Sequence, residues 1–231
     1  MNEVLRQEKK FLITQNQFYD FRNDLSKIMI CDPHNKGDGY SIRSLYFDSL
    51  DDRDFEEKED GIELRRKIRL RNYGPDSDFA LLEMKQKEGP NQKKRSARLN
   101  KKDALRLIEG DYSPLLYIKE DFGRECYALM NMYCYRPKAI VEYKRMAFIA
   151  KENRIRVTFD HHIIGSESNF NVFDEELQQF PLLDPYMVVL EVKYNGFLLS
   201  YIKDMLAKCD SSEVSVGKYA LSRTISKHYY F

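Results

Sequence analysis

The sequence predicts an α+β fold in which an antiparallel sheet closes into a β-barrel with a polar lumen, flanked by helices. Two observations carry this prediction. Side chains alternate at a two-residue period in segment after segment, with basic residues recurring on one face. Helical periodicity appears between and after these segments. The 231 residues suffice for one large domain, and we expect residues 1–231 to form a single domain.

The segment ELRRKIRLRNY, residues 63–73, has the strongest pattern. Read as a strand, it gathers four cations on one face and gives the opposite face a mostly apolar surface. A helix would spread those charges around its circumference, so the pattern favours a strand. A lone strand of this kind is most simply a solvated sheet face, and the interpretation therefore depends on repetition. The four cations are Arg65, Lys67, Arg69 and Arg71.

The same alternation recurs, so that at least six strands share it. A β-sandwich gives no reason for Arg and Lys to outnumber acids strand after strand. A closed barrel with a polar lumen and a helix-covered outside accounts for both faces. The further sets that share a face are Arg6, Glu8 and Lys10; Glu83, Lys85 and Lys87; Tyr143 and Arg145; Arg154, Arg156, Thr158 and Asp160; and Glu191 and Lys193.

Local signals place the elements in chain order. Arg6 to Thr14 alternates as a strand, and Thr14 is suited to cap the helix that follows. The acidic residues 51–61 indicate a short helix or a loop, and residues 101–133 have helical periodicity interrupted near Ser113 and Pro114. The other strands are expected at 41–48, 62–73, 79–89, 91–100, 138–150, 153–164 and 187–196, and two helices from about residue 197 to 231 complete the chain.

Overall charge narrows the class of ligand. The 38 basic and 37 acidic residues give a net charge of +1, so any anion site must be a local concentration of cations. Cations held close together in a partly desolvated cavity repel one another, which favours a dense linear polyanion as the usual occupant. An exposed nucleic acid duplex suits this arrangement less well, and no nucleic acid partner is expected.

Cysteine spacing and hydropathy indicate the compartment. The four cysteines lie far apart without a CxxC pair, which argues against a zinc site or a disulfide framework and favours a reducing, cytoplasmic location. No stretch approaches the roughly 20 apolar residues that a transmembrane helix needs. We therefore expect no membrane span.

Two glutamates on the cationic faces are candidate metal ligands, Glu191 first and Glu8 second. A carboxylate among cations is useful where a divalent ion bridges protein and phosphate oxygens. The alternative is that each glutamate neutralises the lysine two residues away, which is the commoner role of an isolated Glu-x-Lys pair. Both interpretations stay open at this point.

Nine ordered segments carry a family resemblance: RQEKKFLI, SLYFD, KIRLRNYG, LLEMKQK, KKRSAR, VEYKRMAF, RVTFD, VLEVKY and SVGKYALS, from residue 6 to about residue 222. Together they resemble the VTC (vacuolar transporter chaperone) domain of the triphosphate tunnel metalloenzyme superfamily. The resemblance implies a closed antiparallel barrel of eight strands. For active members it also implies a polyphosphate polymerase, which transfers the ATP γ-phosphoryl group to a growing chain with a divalent metal, Mn²⁺ or Mg²⁺.

Resemblance and alternation together give the candidate site. Position 6 is Arg where the triphosphatase and cyclase branch has Glu, which favours the polymerase branch. A triphosphatase and a non-catalytic polyphosphate-binding module are the alternatives. Sequence alone does not decide which of Lys93, Lys94 and Arg95 faces the lumen. The expected catalytic residues are Lys10, Arg69, Arg71, Lys85, Arg145 and Lys218, the substrate-binding residues are Arg6, Lys67, Lys94, Tyr143, Arg156 and Lys193, and the metal ligands are Glu191 and Glu8.

The same resemblance sets the expected partners. ATP and polyphosphate would be the ligands. The regulatory and membrane regions of eukaryotic relatives are not seen in these residues, so docking to a separate membrane partner, at the inner face of a membrane, is an open expectation. Oligomeric state is not predicted.

Overall fold

The computed structural model describes residues 6–89, 91–209, 213–214 and 217–227, with the backbone alone at Arg6 and residues 224–227. The strands are β1 (Arg6–Thr14), β2 (Ile30–Cys31), β3 (Tyr40–Asp48), β4 (Leu64–Asn72), β5 (Phe79–Glu88), β6 (Asn91–Asn100), β7 (Arg136–Ile149), β8 (Arg156–Ser166), β9 (Phe180–Pro181) and β10 (Met187–Asn195). The α-helices are α1 (Gln15–Ile28), α2 (Arg53–Glu59), α3 (Lys101–Ile108), α4 (Asp121–Met132), α5 (Ser200–Ala207) and α6 (Lys218–Lys227).

The strands form one large antiparallel sheet, so the expected mixed fold is confirmed and the closed barrel is not. The strand order is β1-β10-β8-β7-β3-β4-β5-β6, with β2 beside β7 and β9 beside β8. Within the described residues no pairing joins β6 back to β1, and the sheet is open. The expectation failed for a physical reason. Alternation specifies which face a side chain takes, and it is the same in an open sheet and in a barrel.

Local signals located most elements correctly. Thr14 caps α1 as expected: the amide of Gln17 donates to Thr14 Oγ1 at 3.3 Å, and Gln17 Oε1 accepts from the Thr14 amide at 3.1 Å. The acidic segment is a helix, α2, and the interruption at Ser113 and Pro114 is a 3₁₀ turn over Ser113–Tyr117. The two-residue strands β2 and β9 were not predicted, because so short a segment has no measurable period.

The chain divides into two compact units with separate cores. Unit 1 comprises residues 1–41, 143–163 and 181–217, and unit 2 comprises residues 42–142, 164–180 and 218–231. In unit 1, α1 packs Phe18, Phe21 and Leu25 against β1, β8 and β10, as the helical spacing of these side chains requires. In unit 2, the apolar faces of β3 to β6 pack with α3 and α4.

None of the helices among the described residues is both long and apolar enough to cross a bilayer.

A buried carboxyl pair lies at the start of α2. Asp48 accepts hydrogen bonds from the amides of Asp54 at 2.8 Å and Phe55 at 3.0 Å, so it satisfies two of the amide groups that a helix start leaves unpaired. Tyr135 Oη lies 2.9 Å from each carboxylate oxygen of Asp54. Burial, together with the charge of Asp48, raises the pKa of Asp54 to about 8. Burial also raises the pKa of Asp48, against the hydrogen bond from Tyr219.

We expect Asp54→Asn to reduce the pH dependence of stability. The folded protein holds a proton on Asp54 that the unfolded chain loses near pH 3.8, so stability falls as pH rises through the folded pKa of about 8. The fall is at most about 1.4 kcal/mol per pH unit. Asn carries no such proton, so the free energy of unfolding of the variant should change less with pH between pH 5 and 8. Asp48 should account for the pH dependence that remains. Urea unfolding at several pH values measures this, and an unchanged slope contradicts it. Asp24→Asn, on the surface of α1, is the control.

Candidate phosphate-binding faces

The polar face of unit 2 has a large excess of cations. The registers of β4, β5 and β6 place eight basic residues and one acid, Glu83, on this face of the three described strands. Lys67 lies opposite Lys85, which lies opposite Lys94, so three lysines form one row across the sheet. Like charges directly opposite one another destabilise a sheet unless an anion offsets them. The eight cations are Arg65, Lys67, Arg69, Arg71, Lys85, Lys87, Lys94 and Arg98.

Glu83 organises the centre of this face. Its buried carboxylate accepts from Arg69 Nε at 2.8 Å and contacts Lys94 Nζ at 2.5 Å and Arg71 Nη2 at 3.4 Å. Burial alone would raise the pKa of Glu83, but Arg69 and Lys94 outweigh burial and lower it. Arg69 also donates to Tyr46 Oη at 3.2 Å. The carboxylate thus holds three cations in place, and its single negative charge leaves the group with a net positive charge.

The strand registers settle the choice among the three basic residues of β6. Lys94 lies on the cationic face, opposite Lys85, whereas Lys93 and Arg95 lie on the other face, opposite Gln86 and Met84. Arg95 instead donates to Gln86 and forms an ion pair with Glu125 of α4.

The polar face of unit 1 has nearly balanced charge. The registers of β1, β10 and β8 place Glu8, Lys193 and Arg156 in one row and Lys10, Glu191 and Thr158 in the next. Arg156 Nη2 donates to Asp32 Oδ2 at 2.7 Å and to Tyr40 Oη at 3.2 Å. Cations and acids therefore alternate here, unlike the face of unit 2.

Glu8, Glu191, Lys10 and Lys193 form a four-member ion cluster. Lys10 Nζ is 2.6 Å from Glu8 Oε1 and 3.9 Å from Glu191 Oε2, while Lys193 forms an ion pair with Glu191 and lies 3.6 Å from Glu8 Oε2. The neutralising role left open above is therefore observed for both glutamates. Both lysines contact both carboxylates, which keeps the two acids close together.

The carboxylate pair can be tested against the divalent ion that the resemblance implies. Within the described residues, no group of three or more His, Cys, Asp or Glu side chains could hold a metal ion. Mg²⁺-type sites commonly use one or two carboxylates and complete their shell with water and substrate phosphates. Glu8 and Glu191 supply the two carboxylates that such a site uses. The two lysines that now contact them would then be available to phosphate oxygens.

Arg145 and Tyr143 lie together on β7. Arg145 forms a bidentate ion pair with the fully buried Asp160, at 2.6 Å through Nε and 2.7 Å through Nη2, and its guanidinium carbon lies 5.3 Å from the Tyr143 ring centroid. Burial alone would lower the pKa of Arg145, but Asp160 outweighs it and the pKa is raised. A permanently charged, rigidly held guanidinium is suited to orient phosphate rather than to transfer a proton.

The predicted site residues thus fall into two sets, one in each unit. In unit 2, Lys218 is the first residue of α6, and the remaining five predicted residues lie on β4, β5 and β6. Arg6 begins β1, and its side chain is outside the described part of the chain. The residues of unit 1 are Glu8, Lys10, Tyr143, Arg145, Arg156, Glu191 and Lys193.

The acids that fix these cations were not assigned from sequence. For Glu83 the alternation in sequence gave one indication, because it places Glu83 on the same face as Lys85. Asp32 and Asp160 pair with arginines 124 and 15 residues away, and no local pattern predicts such partners.

Solved structures share this fold of one large antiparallel sheet with flanking helices. A suspected adenylate cyclase from Bacillus halodurans is 13% identical, with a TM-score of 0.53 over 92% of this chain and 95% of that one. A suspected adenylate cyclase from Vibrio parahaemolyticus is also 13% identical, with a TM-score of 0.50 over 94% of this chain and 96% of that one. At this identity the similarity concerns the fold alone. No curated protein matches the sequence.

The family is shown by sequence. Residues 5–226 match the family model of the VTC domain. The chain therefore belongs to the VTC domain family.

Proposed function

We propose that the protein is a metal-dependent polyphosphate polymerase that transfers the γ-phosphoryl group of ATP to a growing polyphosphate chain. The observation that carries the proposal is the polar face of β4, β5 and β6, where eight cations share one face with a single carboxylate. A chain of phosphates, with a negative charge on every unit, matches a row of cations that runs across several strands. Membership in the VTC domain family supports the same substrate class.

The residues are suited to alignment and charge neutralisation. In the proposed reaction the bond between the γ-phosphorus and the β,γ-bridging oxygen breaks, ADP leaves with the electron pair, and a terminal oxygen of the chain bonds to phosphorus. That attacking oxygen is already anionic, so a general base is not needed. Arg69 and Arg71 would bind non-bridging oxygens through guanidinium groups already oriented by Glu83.

The other assigned residues have proposed roles within their own units. In unit 2, Lys67, Lys85 and Lys94 would bind the chain, and in unit 1, Arg145 and Arg156 would bind phosphate. Glu8 and Glu191 would hold Mn²⁺ or Mg²⁺, with Lys10 and Lys193 turning to the phosphates. When bound, the ion supplies further neutralisation of the phosphate oxygens.

One observation favours the polymerase over a triphosphatase of the same fold. A water nucleophile requires activation by a base or by metal ions held by further acids. In the part of the chain that the structure describes, no cluster of three or more metal-ligating side chains supplies such a site.

The test is to supply ATP labelled in either the α- or the γ-phosphate, together with Mn²⁺ and a short polyphosphate primer. The proposal requires that γ-label enters long chains, that α-label does not, and that ADP forms in equal amount. Orthophosphate as the sole labelled product would support the triphosphatase. Tight polyphosphate binding without turnover would support a non-catalytic binding module.

We expect Lys94→Ala to weaken tripolyphosphate binding by roughly tenfold, the equivalent of about 1.4 kcal/mol. Lys94 lies in the lysine row, and its loss removes one charge-assisted contact to phosphate. Lys93→Ala is the matched control, because this neighbour is equally basic and exposed but lies on the opposite face. Isothermal titration of both variants measures the difference. Equal losses, or a larger loss for Lys93→Ala, would refute the face assignment.

A further inference from the structure

Helix α6 is anchored to the rest of unit 2 by two polar contacts one helical turn apart. At its first turn, Tyr219 Oη donates to Asp48 Oδ2 at 2.7 Å. At the next, Arg223 donates through Nη2 to Asp52 Oδ2 at 2.8 Å and through Nη1 to Glu167 Oε1 at 2.6 Å. Residues four apart lie on one face of a helix, so both anchors hold the same side of α6.

The first anchor is buried and shared with α2. Asp48 is 0% exposed and Tyr219 is 2% exposed, so water does not replace the hydrogen bond if it is lost. The same Asp48 carboxylate accepts from the amides of Asp54 and Phe55. One side chain therefore fixes the start of α2 and the start of α6 together.

The Tyr219 ring connects α6 to the cationic face. It stacks on the Tyr46 ring with centroids 5.0 Å apart and planes 20° apart. Tyr46 Oη in turn accepts from Arg69 Nη1 at 3.2 Å, and the Arg69 guanidinium carbon lies 5.9 Å from the Tyr46 ring centroid. Lys218 immediately precedes Tyr219 at the start of α6. Lys218 thus belongs to the helical turn whose Tyr219 ring stacks on Tyr46, the hydrogen-bond partner of Arg69.

We propose that Asp48 and Tyr219 are positioning residues: they hold the first turn of α6, and with it Lys218, in the position from which Lys218 binds a phosphate chain at the cationic face. They act through Lys218 and do not touch the ligand. The inference rests on the proposed function for its choice of ligand. If α6 detaches for part of the time, apparent affinity falls by the fraction of molecules that remain competent to bind.

Tyr219→Phe tests this inference, because it keeps the stacked ring and removes the hydroxyl. Tyr135→Phe is the matched control. Tyr135 is equally buried and its hydroxyl also contacts a carboxylate, but that carboxylate belongs to Asp54 of α2, and the hydroxyl does not bridge to α6 in the described part of the chain. Amide hydrogen exchange of α6 and titration with tripolyphosphate are measured on the full chain for both variants. If Tyr219→Phe does not fold, Arg223→Gln, which weakens the second anchor, replaces it.

The inference predicts faster exchange in α6 and roughly tenfold weaker tripolyphosphate binding for Tyr219→Phe, with both quantities unchanged for Tyr135→Phe. A purely structural role predicts that both variants lose thermal stability while α6 exchange and affinity stay equal, and this result would overturn the inference. Absence of tripolyphosphate binding by the wild type would overturn the proposed function. In that case, unchanged amide exchange of α6 in Tyr219→Phe would also overturn the claim that Asp48 and Tyr219 hold α6 in place, whereas faster exchange would support that claim.

Discussion

Arg69→Ala is expected to lower the affinity for tripolyphosphate by about 100-fold, the equivalent of about 2.7 kcal/mol. Arg69 contacts both Glu83 and Tyr46, so its guanidinium is held in one orientation before any ligand arrives. A pre-oriented guanidinium binds phosphate through two parallel hydrogen bonds and loses little entropy in doing so. Isothermal titration at fixed ionic strength is the measurement, because salt weakens such contacts.

Two further variants separate charge from geometry in this experiment. Arg69→Lys keeps the charge but loses the planar donor pair, and it should recover only part of the affinity. Arg124→Ala, an exposed arginine on α4 paired with Asp121, is the control for loss of a surface charge. Thermal unfolding of each variant shows whether the fold survives. A folded Arg69→Ala protein with wild-type affinity would refute the role assigned to Arg69.

Glu191→Gln is expected to have opposite effects on two observables. Metal-dependent turnover of ATP should fall by at least about 100-fold, since the variant loses one of the two carboxylates proposed to hold the ion. Tripolyphosphate affinity without metal should be maintained or should rise, because Lys10 and Lys193 no longer share a contact with this carboxylate. Turnover at varied Mn²⁺ concentration and metal-free titration measure the two effects.

The control for this variant is Glu213→Gln, an exposed acid that pairs with Lys9. It removes the same charge from unit 1, and its described ion pair is with Lys9 and not with Lys10 or Lys193. Unchanged metal dependence in Glu191→Gln would reject the metal-ligand assignment. Loss of metal-free binding would instead indicate that Glu191 acts by keeping its lysines in place.

Alternation predicted the faces of the sheet well. In β4, Arg69 and Arg71 lie on the polar face, while Ile68 and Leu70 are fully buried in the core of unit 2. The period of two is fixed by the strand backbone itself, so it can be read from sequence without knowing the neighbouring strands. Alternation does not show which edges of the sheet meet, and the prediction of a closed barrel was therefore wrong.

Strand register decided what alternation could not. Lys93, Lys94 and Arg95 are all basic, and each would give an acceptable pattern when considered alone. Pairing of β5 with β6 brings Lys94 opposite Lys85 and thereby assigns its face. Register depends on the turn between strands and on the partner strand, so a single segment does not reveal it.

Long-range polar partners were the least predictable part of the candidate site. Tyr219 and Asp48 are 171 residues apart in the chain, yet they share a buried hydrogen bond. Buried polar groups must find a partner, but the requirement does not say where in the sequence that partner lies. Such partners determine how rigidly the site residues are held, which the residue types alone do not show.

Lysine footprinting is the most direct test that the cationic face of β4, β5 and β6 binds a chain of phosphates. Brief acetylation with and without tripolyphosphate, followed by mass spectrometry, reports the reactivity of every lysine in one experiment. The account predicts strong protection of Lys67, Lys85 and Lys94 and unchanged reactivity of Lys93. Equal protection of Lys93 and Lys94, or no protection in the lysine row at saturating tripolyphosphate, would contradict it.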